Sequence, residues 1–268
     1  MAPVTECKPI FRPAAPGPGP GRAGPMEREC RRGGSSHRWL APLDRLARWW
    51  GDFRSREAQA AFKQVIGQRG PEEVCLSVGG GPLRVHPRLL NMNLGLFPNV
   101  DLVGTAYALP LADDSVDAIY CEAVLEHLER PEAAVREMFR ALKPGGELFA
   151  ATAFLQSFHA YPDHFQNFTL EGHNRLFRQA GFEIVNAGAC VGPTFALTDL
   201  AAQYCRHYLP GRILSRGVQK LVVLGSLLVR PLDRLLLRKP GAHLLASSVY
   251  AHLVKPRADT PRNEEGRR

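Results

Sequence analysis

No two cysteines stand in a CxxC pair. The six in the chain, Cys7, Cys30, Cys75, Cys121, Cys190 and Cys205, lie far apart, which excludes a zinc ribbon and gives no support to a dense disulfide framework. A reduced, cytoplasmic protein is therefore expected. No apolar run of about 7–15 residues follows the start, so no secretory leader is expected. No apolar run approaches the roughly 20 residues that cross a bilayer. Internal repeats are absent. Acidic residues are scarce in one stretch: residues 206–239 carry eight Lys/Arg against the single acid Asp233. By contrast, residues 51–205 carry twelve basic residues against eighteen acids, and residues 1–50 carry nine against four. An acidic centre with basic flanks is the reverse of a nucleic-acid-binding core, so nucleic acid is not the expected partner.

What is present is enough for one α/β domain with appendages: 268 residues, 45% apolar and 22% charged. Residues 1–37 read as a disordered Pro/Gly/Arg-rich N-terminus, since nine of the thirteen residues from Pro13 to Pro25 are Pro or Gly. Met26 offers an alternative start. Residues 38–71 read as a helical lid, with Trp39, Leu40, Leu43, Leu46, Trp49 and Trp50 at spacings of three and four, followed by Ala58, Ala61, Phe62, Val65 and Ile66. From Glu72 the pattern changes to short apolar runs ended by turn residues: 74–78, 89–94, 100–104 and 116–121. Pro131 opens a helix with an apolar stripe of Val135, Met138, Phe139 and Leu142, which Lys143-Pro144-Gly145-Gly146 closes. A strand over 147–153, a helix over 170–180 and a strand over 182–187 follow. Strands alternating with helices predict a mostly parallel sheet covered on both faces. Residues 257–268 read as a disordered tail.

The chemistry gathers around Leu76-Ser77-Val78-Gly79-Gly80-Gly81-Pro82, a glycine-rich loop directly after a strand. Ligands in open α/β sheets bind outside the carboxyl ends of the strands, where glycine permits close approach of backbone. A phosphate-binding P-loop needs Lys-Ser or Lys-Thr after its last glycine, and Pro82-Leu83 stands there instead. A dinucleotide fingerprint needs a further glycine opening a long helix, for which Leu83–Leu90 leaves little room.

Leu109-Pro110-Leu111-Ala112-Asp113-Asp114-Ser115-Val116-Asp117, then Leu125-Glu126-His127, then Arg140-Ala141-Leu142-Lys143-Pro144-Gly145-Gly146 complete an ordered set. The set resembles the class I S-adenosylmethionine-dependent methyltransferases, in particular the type 11 group, in its "LPF-(D/N)-(D/N)-SFD" and "RVLKPGG" motifs. Residues 153–169 (AFLQSFHAYPDHFQNFT) are similar to the loop after the fifth strand in a bacterial-type branch, and 244–256 look like the closing strand. The resemblance covers about 72–256. It implies a Rossmann-like fold with a mostly parallel seven-stranded sheet and helices on both faces, S-adenosylmethionine as cofactor, and a small-molecule or lipid-like methyl acceptor.

Carried over position by position, the resemblance places Ser77, Gly79, Gly80 and Gly81 beside the cofactor, Asn93 at its ribose, Thr105 and Ala106 at its adenine, and Glu122 and Ala123 after the fourth strand. Ser77, Asn93 and Thr105 stand where the family usually carries acids. A neutral hydrogen bond in place of a charge-assisted one costs on the order of 1 kcal/mol each, so cofactor affinity is expected to be weakened. The same replacements support a second reading, a catalytically degenerate scaffold or binding protein on this fold. Glu122, His127 and His159 are the candidate bases, because a methyl transfer needs one only if the acceptor is protonated. His159, His164 and His173 share no helix face, so no metal is expected.

The basic stretch belongs to an insertion at about 193–240. Leu221–Val229 is apolar, bracketed by Arg212, Arg216, Lys220, Arg230, Arg234, Arg238 and Lys239. Two placements fit: a helical cap on the substrate cleft with its basic face in water, and peripheral contact with an anionic membrane through 209–239.

Overall fold

The computed structural model describes residues 54–81, 84–160 and 163–257. The N-terminus expected to be disordered, the tryptophan-bearing half of the first helical segment and the expected tail lie outside these residues.

The apolar runs become a seven-stranded sheet: β1 (Cys75–Val78), β2 (Leu89–Asn93), β3 (Leu102–Val103), β4 (Val116–Glu122), β5 (Leu142–Ala153), β6 (Glu183–Val191) and β7 (Ser248–Val254), in the order β3-β2-β1-β4-β5-β7-β6. Strands β1 to β5 pair in parallel, and β7 runs antiparallel between β5 and β6. The continuous burial of β1 and the near-continuous burial of β4 follow from a sheet covered on both sides. Because these strands run parallel, the carboxyl ends of β1, β2, β4 and β5 form one edge.

One face packs against α1 (Arg56–Phe62), which continues as a π-helical turn over Lys63–Gly67. Ser55 caps α1 by accepting the Ala58 N–H at 3.1 Å. Ala58, Ala61, Val65 and Ile66 are buried against Cys75, Tyr120, Phe149 and Tyr250. The segment expected as a lid therefore covers the sheet face from Ser55 onward. The other face packs against α2 (Pro131–Ala141) and α3 (Leu170–Ala180). Ala134, Val135 and Met138 of α2 and Phe177 of α3 are wholly buried there. Thr169 caps α3 at its start, and Gly181, at φ 102°, closes it.

Two differences from the expected pattern matter. Described residues 84–88, 94–101 and 104–115 form no helix, so among the described residues helical cover lies on the β1, β4, β5, β6 and β7 side. The Lys143-Pro144-Gly145-Gly146 turn is not a break before the strand but an irregularity within it: Val116 pairs with Leu142 and Ala118 with Glu147. Gly145, at φ 82°, donates its N–H to Lys255 O at 2.7 Å, which stitches the insert to the end of β7. Between β6 and β7 stand α4 (Pro193–Tyr208), α5 (Arg212–Val229) and a short α6 (Asp233–Leu236).

Candidate active site

The glycine loop folds back over the tips of β1 and β2. Gly79 and Gly80 both donate to Met92 O, at 2.9 and 3.3 Å. Gly79 (φ 71°) and Gly81 (φ 63°) occupy the left-handed region that favours glycine. A Cβ on Gly80 would overlap Asn91 Oδ1 and Ser77 Oγ, whereas the space beside Gly81 is open. Ser77 Oγ and Asn91 Oδ1 are buried with no hydrogen-bond partner.

Asn91, not among the expected site residues, organises this end. Its Nδ2 donates to Gly81 O (2.9 Å) and Asn99 O (2.8 Å), and its N–H donates to Asp101 at 2.8 Å. Asp101 also pairs with Arg84 at 2.7 Å. The Arg84 guanidinium, with help from the Asn91 N–H and against the cost of burial, holds the Asp101 carboxyl below its ordinary range. Asn93 lies at the end of β2, with its Oδ1 accepting the Leu94 N–H at 2.7 Å. Thr105 Oγ1 accepts the Tyr107 N–H at 3.3 Å, and Ala106 is part of the buried core.

At the β4 end, Glu122 accepts from Arg54 at 2.8 Å and from the Tyr120 hydroxyl. Its carboxylate is thus committed to a cation and a phenol. Ala123 turns the chain at φ 54°. Beside them opens a cavity of about 320 Å³, whose wall includes Arg54, Glu122, Glu126, Thr152, Phe195 and Ser247. Glu126 Oε2, Thr152 Oγ1 and Ser247 Oγ are buried and without a hydrogen-bond partner. Buried polar atoms are nearly always paired, so three in the residues of one cavity wall single it out as the candidate site. Thr152 and Ser247 were missed in the sequence. A polar residue near the end of the apolar run 147–153 is a usable signal for Thr152, whereas nothing local marks Ser247 or Arg54.

His127 and His159 come together across the loop that follows β5, with ring centroids 5.2 Å apart and edge to face. His127 Nδ1 lies 2.6 Å from Asp163 O, and His159 Nδ1 lies 2.8 Å from Ser157 O. The His164 ring lies beside that of His159, centroids 4.3 Å apart and tilted by 45°. The trio considered from sequence does not assemble. His173 is wholly buried on α3 between Phe168 and Phe177, and burial pushes its pKa down to about 3. The same loop is tied to α4 through Asp199, whose carboxyl burial holds above its ordinary range although Gln203 and Ser157 bond to it.

The insertion packs in an unexpected sense. On α5, Ser215, Ser226 and Leu227 turn inward and are buried, while Ile213, Leu221, Leu224 and Leu228 are among the side chains that turn outward. Arg212, Arg216 and Lys220 are exposed beside that stripe. Asp233 is buried as a cap for α4, accepting the N–H groups of Thr194 (2.8 Å) and Phe195 (3.0 Å). Arg230 is turned inward over the Phe195 ring at 5.0 Å. The insertion reaches the cavity through Phe195, and Arg212, Arg216 and Lys220 are exposed, so the outward face of α5 is apolar and basic together. Among the described residues no helix is long and apolar enough to cross a membrane.

The family model described as a methyltransferase domain matches residues 85–150. An uncharacterized methyltransferase-like protein of Schizosaccharomyces pombe is 45% identical over 65 residues, 24% of this chain and 25% of that protein. The ubiquinone/menaquinone biosynthesis C-methyltransferase UbiE of Pasteurella multocida is 36% identical over 104 residues, 38% of this chain and 36% of that enzyme. The chain thus spans a quarter to about a third of the length of these curated relatives. Among solved structures, the Burkholderia thailandensis 1,6-didemethyltoxoflavin N1-methyltransferase aligns over 90% of this chain and 94% of its own, at 15% identity and TM-score 0.46. The [4+2]-cyclase SpnF aligns over 75% and 80%, at 20% identity and TM-score 0.48.

Proposed function

We propose that the class I methyltransferase domain carried by this chain moves a methyl group from S-adenosylmethionine to a small lipid-like acceptor taken up at an anionic membrane surface. The observation that carries this reading is the cavity at the carboxyl edge of the sheet, with Glu126 Oε2, Thr152 Oγ1 and Ser247 Oγ unpaired in its wall. Ser77 Oγ and Asn91 Oδ1, unpaired beneath the glycine loop, and the open space at Gly81 fit a polar cofactor on the neighbouring strand tips.

S-adenosylmethionine brings an activated methyl group, so the protein's task is chiefly alignment. In this reading the glycine loop, Asn93 and Thr105 hold the cofactor, and the β4–β5 side holds the acceptor. Arg54 and Tyr120 fix Glu122 as a wall rather than a base. Phe195 and the apolar outer stripe of α5 suit a hydrophobic acceptor, in line with the quinone chemistry named for UbiE. Scarcity of acid on the outer surface of 206–239 suits anionic lipid.

Calorimetric titration with S-adenosylmethionine and its demethylated product tests the first part. Binding in the micromolar range is expected, with Asn93→Asp tightening it several-fold by restoring a charge-assisted bond to a hydroxyl. Absence of heat up to about millimolar ligand would instead favour the scaffold reading.

A further inference from the structure

We propose that Glu126, His127 and His159 form a binding site for a divalent transition-metal ion, of the kind that Zn²⁺ occupies. The ligand atoms of the three side chains lie within 4.8 Å of one another. Each histidine is oriented by a backbone carbonyl. Asp163 O and Ser157 O can only accept, so Nδ1 of each ring carries the proton and Nε2 is left with its lone pair. A backbone or carboxylate partner on the far nitrogen is the usual accompaniment of a metal-binding imidazole, since it fixes the tautomer and the ring plane.

The third group is independent of the histidines. Glu126 is 1% exposed; one of its oxygens accepts the Ala153 N–H at 3.2 Å, and the other, Oε2, has no partner. A buried carboxylate oxygen with nothing to neutralise it is costly unless a cation or a donor arrives. Two imidazole nitrogens and one carboxylate oxygen are a ligand set that zinc accepts with a fourth position left open, at about 2.0–2.2 Å from each donor. His164 is not a fourth ligand: its Nδ1 accepts the His159 N–H at 3.2 Å and its Nε2 faces Asn167 Oδ1 at 2.7 Å.

The set was invisible to spacing rules because Glu126 and His127 follow β4 while His159 lies in the loop after β5. Glu126 also lines the 320 Å³ cavity, so an ion held by this set would lie at the cavity wall and would polarise an acceptor oxygen that reached it. The metal site itself does not depend on the methyl-transfer reading and is tested without it.

The test is titration of chelator-stripped full-length protein with Zn²⁺ alone, followed by calorimetry. One ion per chain is expected, with affinity falling about a hundredfold or more in Glu126→Gln, His127→Gln and His159→Gln. His164→Gln keeps the stoichiometry of one. Equal binding in wild type and in the His127→Gln/His159→Gln double variant overturns the proposal, as does no binding by wild type. Should those variants fail to fold, wild-type protein decides: Zn²⁺ protects His127 and His159 from diethyl pyrocarbonate, read by peptide mass spectrometry, while exposed His207 stays reactive. Unchanged modification of His127 and His159 at saturating Zn²⁺ overturns the site.

Discussion

His173 shows how far one residue can depart from what its letter suggests. The sequence offers it as one more titratable group near two other histidines, yet it lies wholly inside the α3 packing with neither ring nitrogen bonded. Burial holds its pKa near 3, against an ordinary value near 6.5. A depressed folded pKa contributes stability above the unfolded value and loses it as pH falls toward the folded one. The unfolded chain takes up the proton between pH 6.5 and 3 and the native state does not, so this residue destabilises the fold progressively over that window. His173→Phe, set among Phe168, Phe177 and Phe182, removes the effect. The stability lost by wild type between pH 7 and pH 5, measured by urea unfolding, should shrink by about 2 kcal/mol in the variant. An unchanged loss would mean that His173 is solvated. Asn91 makes the complementary point: one of two asparagines in "NMN" resembles the ribose position, and only the alternation of β2 turns the other toward the glycine loop.

At the scale of elements, α5 is the informative one. Its helical period was legible, as were the boundaries of α2, α3 and β4, because each carries an apolar stripe or run between turn residues. Which side of α5 faces the protein was not legible. A helix normally hides its apolar stripe; here Ser215 and Ser226 are buried beside Leu227, while Ile213, Leu214, Leu221, Val223, Leu224, Leu228 and Val229 are exposed. An exposed apolar stripe flanked by Arg212, Arg216 and Lys220 is suited to an anionic lipid surface. Co-flotation with liposomes containing anionic lipid is expected for the full chain. Arg216→Gln/Lys220→Gln should weaken it by about 2 kcal/mol, at roughly 1 kcal/mol per charge, and Leu224→Ser/Leu228→Ser should abolish it without loss of helix content. Arg230 is a poor choice for this experiment, since it stacks on Phe195 inside the insertion.

Over the whole molecule, Glu147 ties distant parts of the chain together. It accepts from Arg69, just after the π-helical turn, at 2.9 Å and from His252 of β7 at 3.2 Å. Burial acts to raise its pKa, but His252 and Arg69 outweigh burial and hold the carboxyl below its ordinary range. Its contribution is therefore present above the unfolded value, about 4.3, and is lost as pH falls through the lower folded value. Glu147→Gln should lower stability at pH 7 by roughly 1–3 kcal/mol and flatten the acid limb of the melting curve below about pH 4. A variant whose melting temperature matches wild type at pH 7 and pH 3.5 would show that the tie contributes nothing.

The sequence by itself determined the strand and helix order, the glycine loop after β1 and the acidic-centre, basic-flank charge layout, because periodicity, turn residues and charge are local properties. It also carried the motifs from Leu109 to Gly146 that led to the fold. Only the tertiary structure decided which polar atoms are left unpaired around the cavity, that Glu122 is bound to Arg54, and that Glu126, His127 and His159 converge. Those are contacts between loops and strands separated by tens of residues, set by how the sheet edge closes, and no spacing along the chain encodes them.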